Sequence, residues 1–256
     1  MIRNTFSILH GLGEKREKRL WRGGILRWED FLGAPSVDFM SPGRKELYDR
    51  DLEDAAERLR RKDAAFFART LRSREHWRLF DALGREAVCL DIESNGLQAG
   101  WGGYPTVVGV YDGFDYRYFL RGRDLTASNL MRELSGYRYL ITFFGSAFDI
   151  PFLEKTLPGF RLRVPHFDLC FAARKVGLTG GLKRIEEKLG IVRPAETRGL
   201  DGYDAVLLWE RASRGDDGAM ELLVGYNRED TVNLMYIAGR LYADLRASTG
   251  IEEYLS

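Results

Sequence analysis

Val88-Cys-Leu-Asp-Ile-Glu93 is the stretch on which the fold turns. It is a short apolar run that ends in acids. Period-two alternation along a strand puts Asp91 and Glu93 on one face and Leu90 and Ile92 on the other. Asn95-Gly96 follows as a turn, so the acidic pair stands at the rim of a sheet. Two carboxylates side by side repel unless a cation sits between them. An acidic pair at a strand end is also an ordinary way for a strand to meet solvent, so the pair alone leaves the chemistry open.

Downstream, residues 106–111 and 115–120 are β-rich and flank Asp112-Gly113-Phe114, a hairpin signal, and residues 137–144 form another apolar run. Helical patterns cover 152–157, 169–176, 182–189, 203–214 and about 218–245. In the last, Leu234, Ala238, Leu241 and Leu245 fall at i, i+4, i+7 and i+11 and define a buried stripe. Strands first, interleaved helices next and a helical end predict an α/β fold, a mixed sheet covered by helices.

Upstream of Ala87 the texture is different. Residues 45–61 and 64–71 are helical in pattern and rich in Arg, which reads as a solvated face with Leu47, Leu52, Ala55, Ala56 and Leu59 turned inward. Near the start, Leu9-His-Gly-Leu-Gly13 precedes a basic helical segment containing Lys15 and Arg16. Gly11 and Gly13 there allow backbone N–H groups at a helix N-terminus to point at a phosphate. An ordinary Gly-bounded helix start has the same appearance. The expected organisation is a helical N-terminal region, residues 1–86, and a sheet-containing domain, residues 87–256.

The whole chain of 256 residues is 45% apolar and 30% charged, which excludes a disordered or fibrous class. Its 39 Lys+Arg and 38 Asp+Glu leave a net charge of +1, with no overall excess that announces a polyanion or a membrane. The charges are nevertheless segregated. Residues 1–86 carry 19 basic and 15 acidic side chains, residues 87–256 carry 20 and 23, and the first 27 residues alone hold seven basic and two acidic ones. Cys89 and Cys170 are too few for a disulfide framework and lack zinc-site spacing. Free thiols, no apolar leader and no run of 18 apolar residues predict a cytoplasmic protein without a membrane span.

Two further acids stand out. Phe148-Asp149-Ile-Pro-Phe-Leu153 follows the apolar run after a Gly145-Ser146 break, and Pro151 suits the first turn of a helix, so Asp149 lies at that helix's N-terminal edge. Capping the helix is the alternative use for it. In Tyr226-Asn-Arg-Glu-Asp230, helical spacing stacks a phenol one turn before a carboxylate on the same face. Asp230 enters a stretch that becomes apolar, and an inward acid calls for a cation or a metal.

Asp-x-Glu after a first strand, Phe-Asp before a helix and Tyr-x-x-x-Asp on the last helix occur in that order, 56 and 81 residues apart. The conjunction resembles the DEDD 3'-to-5' exonucleases of the ribonuclease-H-like, DnaQ-type fold. Within them it resembles the subgroup with Tyr four residues before the last Asp; the His of the other subgroup is replaced here by Gly225. Asp91-Ile-Glu-Ser-Asn-Gly-Leu97, Gly145-Ser-Ala-Phe-Asp-Ile-Pro-Phe-Leu153, His166-Phe-Asp-Leu169 and Ala172-Ala-Arg174 are similar to the YprB-type predicted nucleases. So are the Gly-Leu-Gly arm with Trp28-Glu-Asp-Phe-Leu32, and His76-Trp-Arg-Leu-Phe80. The Phe-Asp-x-Pro-Phe-Leu wording is also similar to the proofreading exonuclease domain of B-family DNA polymerases, and the Gly-Leu-Gly arm resembles part of a helix-hairpin-helix.

The resemblance implies a ribonuclease-H-like sheet, single-stranded or 3'-terminal DNA or RNA as the partner, and hydrolysis of its phosphodiesters from the 3' end. Asp91, Glu93, Asp149 and Asp230 would be hard oxygen ligands for two Mg²⁺ or Mn²⁺ ions, and Tyr226 would orient the attacking water. Asp168 is a second-tier residue, near the metals or the 3' end or else a cap for the helix that opens at Leu169, with capping or support favoured. Phe148 would stack on a terminal base, and Gly11, Gly13, Lys15 and Arg16 would grip backbone phosphate. Other readings on the same fold are a non-catalytic nucleic-acid-binding protein and a structure-selective endonuclease.

Overall fold

The computed structural model describes residues 1–255. After a 3-10 turn at Ile2–Asn4 come α1 (Glu14–Arg22), α2 (Trp28–Gly33), α3 (Pro42–Arg60), α4 (Ala64–Thr70) and, beyond a 3-10 segment at Ser73–Leu79, α5 (Phe80–Leu83). The sheet then forms from β1 (Ala87–Ser94), β2 (Pro105–Tyr111), β3 (Tyr116–Leu120), β4 (Tyr139–Thr142) and β5 (His166–Asp168). Helices α6 (Ala127–Leu134) and α7 (Asp149–Thr156) interleave with these strands. Helices α8 (Leu169–Lys175), α9 (Leu182–Lys188), α10 (Gly202–Ala212), α11 (Asp217–Ser248) and α12 (Glu252–Leu255) follow them. The strand order is β3-β2-β1-β4-β5. β1 runs antiparallel to β2 and parallel to β4, and β5 is parallel to β4, so the sheet is mixed, as expected.

β1 is the central strand, and its alternation separates two environments. Val88, Leu90 and Ile92 join Leu130, Leu134, Phe152 and Leu153, so α6 and α7 close that side. Ala87 and Cys89 join Leu169, Ala173, Leu234, Ile237 and Leu241 on the other side, beneath α8 and α11. Asp91 and Glu93 continue this second face by the same period of two. A bulge between Glu93 and Ser94 ends the regular pairing with β2 just past the acids.

The N-terminal helices are built around large buried aromatics. Phe6, Trp21, Trp28, Phe31 and Phe67 are fully buried, and they belong to the same apolar cluster as Leu241, Leu245 and Ile251. Trp21 Nε1 donates to the Asn4 carbonyl at 3.0 Å and Trp28 Nε1 to the Thr5 carbonyl at 2.7 Å, so each indole satisfies its one polar atom. Among the described residues no helix is long and apolar enough to cross a membrane.

Five local features differ from the sequence-based expectations. Leu47 of α3, read as turned inward, is exposed, while Leu52, Ala55 and Leu59 are buried. β4 ends at Thr142, because Phe144 turns the chain with φ +66°, a region an L-residue rarely enters. α7 starts at Asp149 and not at Phe152, so Pro151 sits at its third position. Helix α6 was not expected; Thr126 caps it by accepting the Asn129 N–H, and Leu130 and Leu134 bury one stripe. β5 was not expected either, because its three residues, His-Phe-Asp, lack an apolar run and pair only through the register set by β4.

Candidate active site

The rim of β1, the start of α7 and the middle of α11 meet at one place. Asp91, Glu93 and Asp230 each offer a carboxylate oxygen, and these oxygens lie within 4.8 Å of one another. Glu93 is 7% exposed, Asp230 8% and Asp149 4%, so the acids are held away from bulk water. Asp149 is the first residue of α7; Phe148 occupies the N-cap position and no side chain caps that end. Asp149 therefore does not cap the helix, and its charge acts on Asp91 and Glu93.

The electrostatics follow from this crowding. Burial, then the charges of Asp230 and neighbouring acids, push both Asp91 and Glu93 well above the ordinary carboxylate range. Burial raises Asp149 to about 7, against the pull of the Asp149 and Ile92 backbone amides. Asp230 is raised by burial and held back by Arg193. Tyr226 is pushed up by burial and by the charges of Asp230, Glu93 and Asp91, which keeps its phenol protonated.

Helix α11 supplies three of the groups, Tyr226 and Asn227 next to each other and Asp230 about one turn on. The Asn227 amide donates to Asp91 Oδ2 at 3.0 Å and reaches Glu93 Oε1 at 3.5 Å, while its own oxygen accepts the Tyr116 hydroxyl at 2.9 Å. This close approach needs Gly109, which pairs with Asp91 across β1 and β2. A Cβ at Gly109 would stand 2.1 Å from Asn227 Oδ1 and 2.5 Å from Thr231 Oγ1. A lysine and an arginine border the acids. Lys183 Nζ donates to the Tyr226 hydroxyl at 2.8 Å and lies 4.6 Å from its ring centre. Arg193 grips Glu186 with two hydrogen bonds of 2.7 Å and pairs with Asp230 through Nη2.

Asp168 is placed one step back. Its carboxylate caps α8 by accepting the Cys170 N–H at 3.1 Å, and it also accepts the backbone N–H groups of Phe144 and Ser146, each at 2.9 Å. It thus ties down the loop that delivers Asp149. His166 bonds Thr142 at 2.7 Å and is lowered to about 4 by burial, which keeps its ring neutral. Phe148 is 43% exposed beside the acids and packs on Phe152, 5.4 Å between ring centres. Gly11, Gly13, Lys15 and Arg16 are part of the N-terminal region. Gly11 takes φ +79° and Gly13 is the N-cap of α1, but Glu14 and Glu17 occupy that helix's first turn and Arg16 folds back onto the Gly11 carbonyl at 2.9 Å. Among the described residues, the helical element ahead of that loop is the 3-10 turn Ile2–Asn4.

A family model described as RNase_H_2, RNase_H superfamily, matches residues 88–242, from β1 through α11, and so takes in all four carboxylates. The chain belongs to the RNase_H superfamily. A search of curated proteins finds no match. Among solved structures, the family B DNA polymerase from the archaeon Pyrobaculum calidifontis is similar at 16% identity, with a TM-score of 0.49, over 60% of this chain and 24% of the polymerase. NrnC of Brucella melitensis bound to pGG is similar at 20% identity, with a TM-score of 0.49, over 68% of this chain and 80% of NrnC. The chain thus corresponds to about a quarter of the polymerase's length.

In this member of the RNase_H superfamily the sequence reading missed Lys183, Glu186, Arg193 and Asn227. Asn227 lay inside the quoted Tyr-x-x-x-Asp motif, and its position beside Tyr226 was the available signal. Lys183 and Glu186 share a face of α9 at i and i+3, which by itself marks only an amphipathic helix. Arg193 sits between α9 and α10, and only the fold brings it to Asp230.

Proposed function

We propose that the chain is a metal-dependent 3'-to-5' exonuclease of the DEDD type, acting on single-stranded or 3'-terminal DNA or RNA, in the Tyr subgroup and of the YprB kind. The observation that carries this reading is the meeting of half-buried Asp91 with buried Glu93 and Asp230 in mutual contact range, with buried Asp149 beside them. Such a set is electrostatically unfavourable by itself, as the upward shifts of all four acids express. It fits a hard divalent cation, Mg²⁺ or Mn²⁺, because every donor is a carboxylate oxygen.

Asp91, Glu93 and Asp230 would hold one such ion, with Asp149 completing the set for two. When bound, divalent ions acidify a water and neutralise charge on the phosphodiester undergoing in-line attack. The chain's own groups orient the reaction. Tyr226, protonated and fixed by Lys183, offers a rigid phenol that positions a water without removing its proton. Asn227 holds Asp91 and Glu93 in register through its two N–H contacts. Phe148, exposed at the mouth, offers a ring to a terminal base.

The test is release of mononucleotides from 3'-labelled single strands with Mg²⁺ or Mn²⁺, compared with the same strands carrying a 3' block. Wild type should degrade the open strand and spare the blocked one, and Asp149→Asn should release nothing. Cleavage that survives Asp149→Asn overturns the assignment, and internal cutting of the blocked strand replaces the exonuclease with an endonuclease.

A further inference from the structure

Two cavities away from the carboxylates share three residues. The first, about 400 Å³, opens between α1, the 3-10 segment Ser73–Leu79 and the end of α11, and Lys18, Arg72, Arg74, Arg78 and Lys175 line it. The second, about 490 Å³, continues past Arg74, Trp77 and Lys175 to Phe171, Arg174, Asp168 and Ser146. Ser146 belongs to the loop that Asp168 ties down immediately before Asp149. The three shared residues set the two cavities side by side, and together they form a groove-like surface from the N-terminal region to the loop before Asp149.

Its chemistry favours an anionic, aromatic ligand. Three acids also line the first cavity, and each already has a basic partner. Glu17 is buried and bonded to Arg78 and Thr5, Glu75 bonds Arg78 at 2.8 Å, and Glu14 pairs with Lys18 at 3.0 Å. Arg72 has no acidic partner within 4.0 Å among the described residues, and Arg74 reaches only Glu75, at 3.6 Å. Arg78 is 5% exposed, and its Nη1 is buried without a hydrogen-bond partner although the residue lines the cavity. Lys175 Nζ donates to the Arg74 carbonyl at 2.7 Å and stands 4.0 Å from Glu75, so Glu75 is shared among three basic groups. A buried guanidinium N–H left open beside the unpaired Arg72 is a vacant donor for an acceptor oxygen. In the second cavity Phe171 is 42% exposed, with the Arg174 guanidinium 5.5 Å from its ring centre and Phe144 packed at 5.9 Å.

We infer that this groove is a binding track for single-stranded nucleic acid, in which Arg72, Arg74 and Lys175 hold backbone phosphates and Phe171 stacks on a base. The inference deepens the nuclease reading and rests on it. It also moves the grip of the N-terminal region away from the Gly11–Gly13 loop, where Arg16 is already engaged. Lys and Arg side chains spaced along a groove, with an exposed aromatic between them, suit a strand whose bases are free to stack and whose phosphates repeat. The track lengthens the contact with substrate beyond the residue being removed.

Fluorescence polarisation of 5'-fluorescein-labelled oligo(dT) and oligo(rU), 4 and 12 nucleotides long, in EDTA measures binding without turnover. Wild type should bind the 12-mers much more tightly than the 4-mers. The double variant R74E/K175E should weaken 12-mer binding at least tenfold and lower the slope of log K against log salt by about 1.4, two phosphate contacts at about 0.7 each. Phe171→Ala should weaken it about fivefold or more, and Arg50→Glu, on the exposed side of α3 outside both cavities, should leave it unchanged. Arg74 is 65% exposed and Lys175 40%, so the double variant should stay folded at the assay temperature, which its unfolding midpoint checks. Equal affinity and equal salt slope for R74E/K175E and wild type overturn the track and leave the nuclease reading standing. Binding that is lost in R74E/K175E, in a wild type that cleaves nothing with either metal, supports the track and overturns the nuclease reading.

Discussion

Replacing Asp149 with Asn should stabilise the metal-free protein at alkaline pH while abolishing cleavage. Asp149 is 4% exposed and rises from an ordinary 3.8 to about 7. A folded-state pKa above the unfolded one means that the folded protein holds the extra proton between those two values. Stability then falls as pH rises through that window, with no cost below about 4 and the full cost above about 7. At about 1.4 kcal/mol per pKa unit, the ionised carboxylate costs about 4 kcal/mol at pH 8. Asn removes the charge but surrenders acceptor capacity toward the Asp149 and Ile92 amides, at about 1 kcal/mol. The expected net effect is a gain of about 3 kcal/mol at pH 8 and a loss of up to about 1 kcal/mol at pH 4. Urea unfolding of both proteins in EDTA at the two pH values reads it directly, as a midpoint higher by about 1 M or more in the variant at pH 8. The other three acids are common to both proteins and cancel in the difference to first order. Adding Mg²⁺ should narrow the gap, because the cation offsets in the wild type the repulsion that Asn removes. A variant no more stable than wild type at pH 8, or an equal difference at both pH values, would refute the claim that Asp149 is a buried, destabilising charge awaiting a cation.

Three other outcomes follow from the same geometry. Mg²⁺ or Mn²⁺ at 100 times its dissociation constant should stabilise the wild type by about 2.7 kcal/mol, a rise of about 5–10 °C in Tm by scanning fluorimetry; Glu93→Gln should lose most of that rise. Gly109→Ala should cost about 1–3 kcal/mol and reduce cleavage, since its methyl would meet Asn227 Oδ1 at 2.1 Å and push the amide off Asp91; normal activity at normal stability would contradict the tight docking of α11 on β2. Arg193→Ala should cost about 3–5 kcal/mol by leaving Glu186 and Asp230 buried without their cation. In a double-mutant cycle with Glu186→Ala the two losses should be markedly less than additive.

Much of this was legible because the decisive signals are local. The alternation of Val88 to Glu93 fixed which residues of β1 face which layer, and the stripe at Leu234, Ala238, Leu241 and Leu245 fixed the buried side of α11. The meeting of Asp91, Glu93 and Asp230 is a tertiary fact, and it was reachable only because three motifs resembled a known set in a known order. Residues without such a pattern stayed hidden. Arg193 lies in a loop, and nothing in its neighbours marks it as the partner of an acid 37 residues away. The strand β5 was invisible for a related reason: three residues, with His166 and Asp168 at both ends, carry no periodicity, and their extended form comes from pairing with β4. Asp168 was ambiguous in sequence because capping and loop support ask for the same short acid; the structure shows one carboxylate doing both.

The N-terminal region and the carboxylate cluster are joined mechanically by α11. At 1.5 Å per residue its 32 residues extend about 48 Å, far more than is needed to deliver Tyr226, Asn227 and Asp230 to the sheet. The first half lies on β1 and β2 through Tyr226, Asn227 and Thr231. The second half, from Leu234 to Leu245, is buried in the cluster that also contains Trp21, Trp28, Phe31 and Trp77. A helix face so apolar has to be covered, and from residues 1–86 Trp77 and Phe80 pack on its Tyr242 at 6.1 and 5.3 Å between ring centres. Any displacement of those helices would loosen the far end of the rod whose near end positions Asp230. The superfamily match begins at residue 88, after these helices. They nonetheless line the groove that leads to the Ser146 loop and clamp the helix that carries the last acid. Grip and clamp are therefore the same structure, so a strand seated in the groove contacts the wall against which α11 is braced.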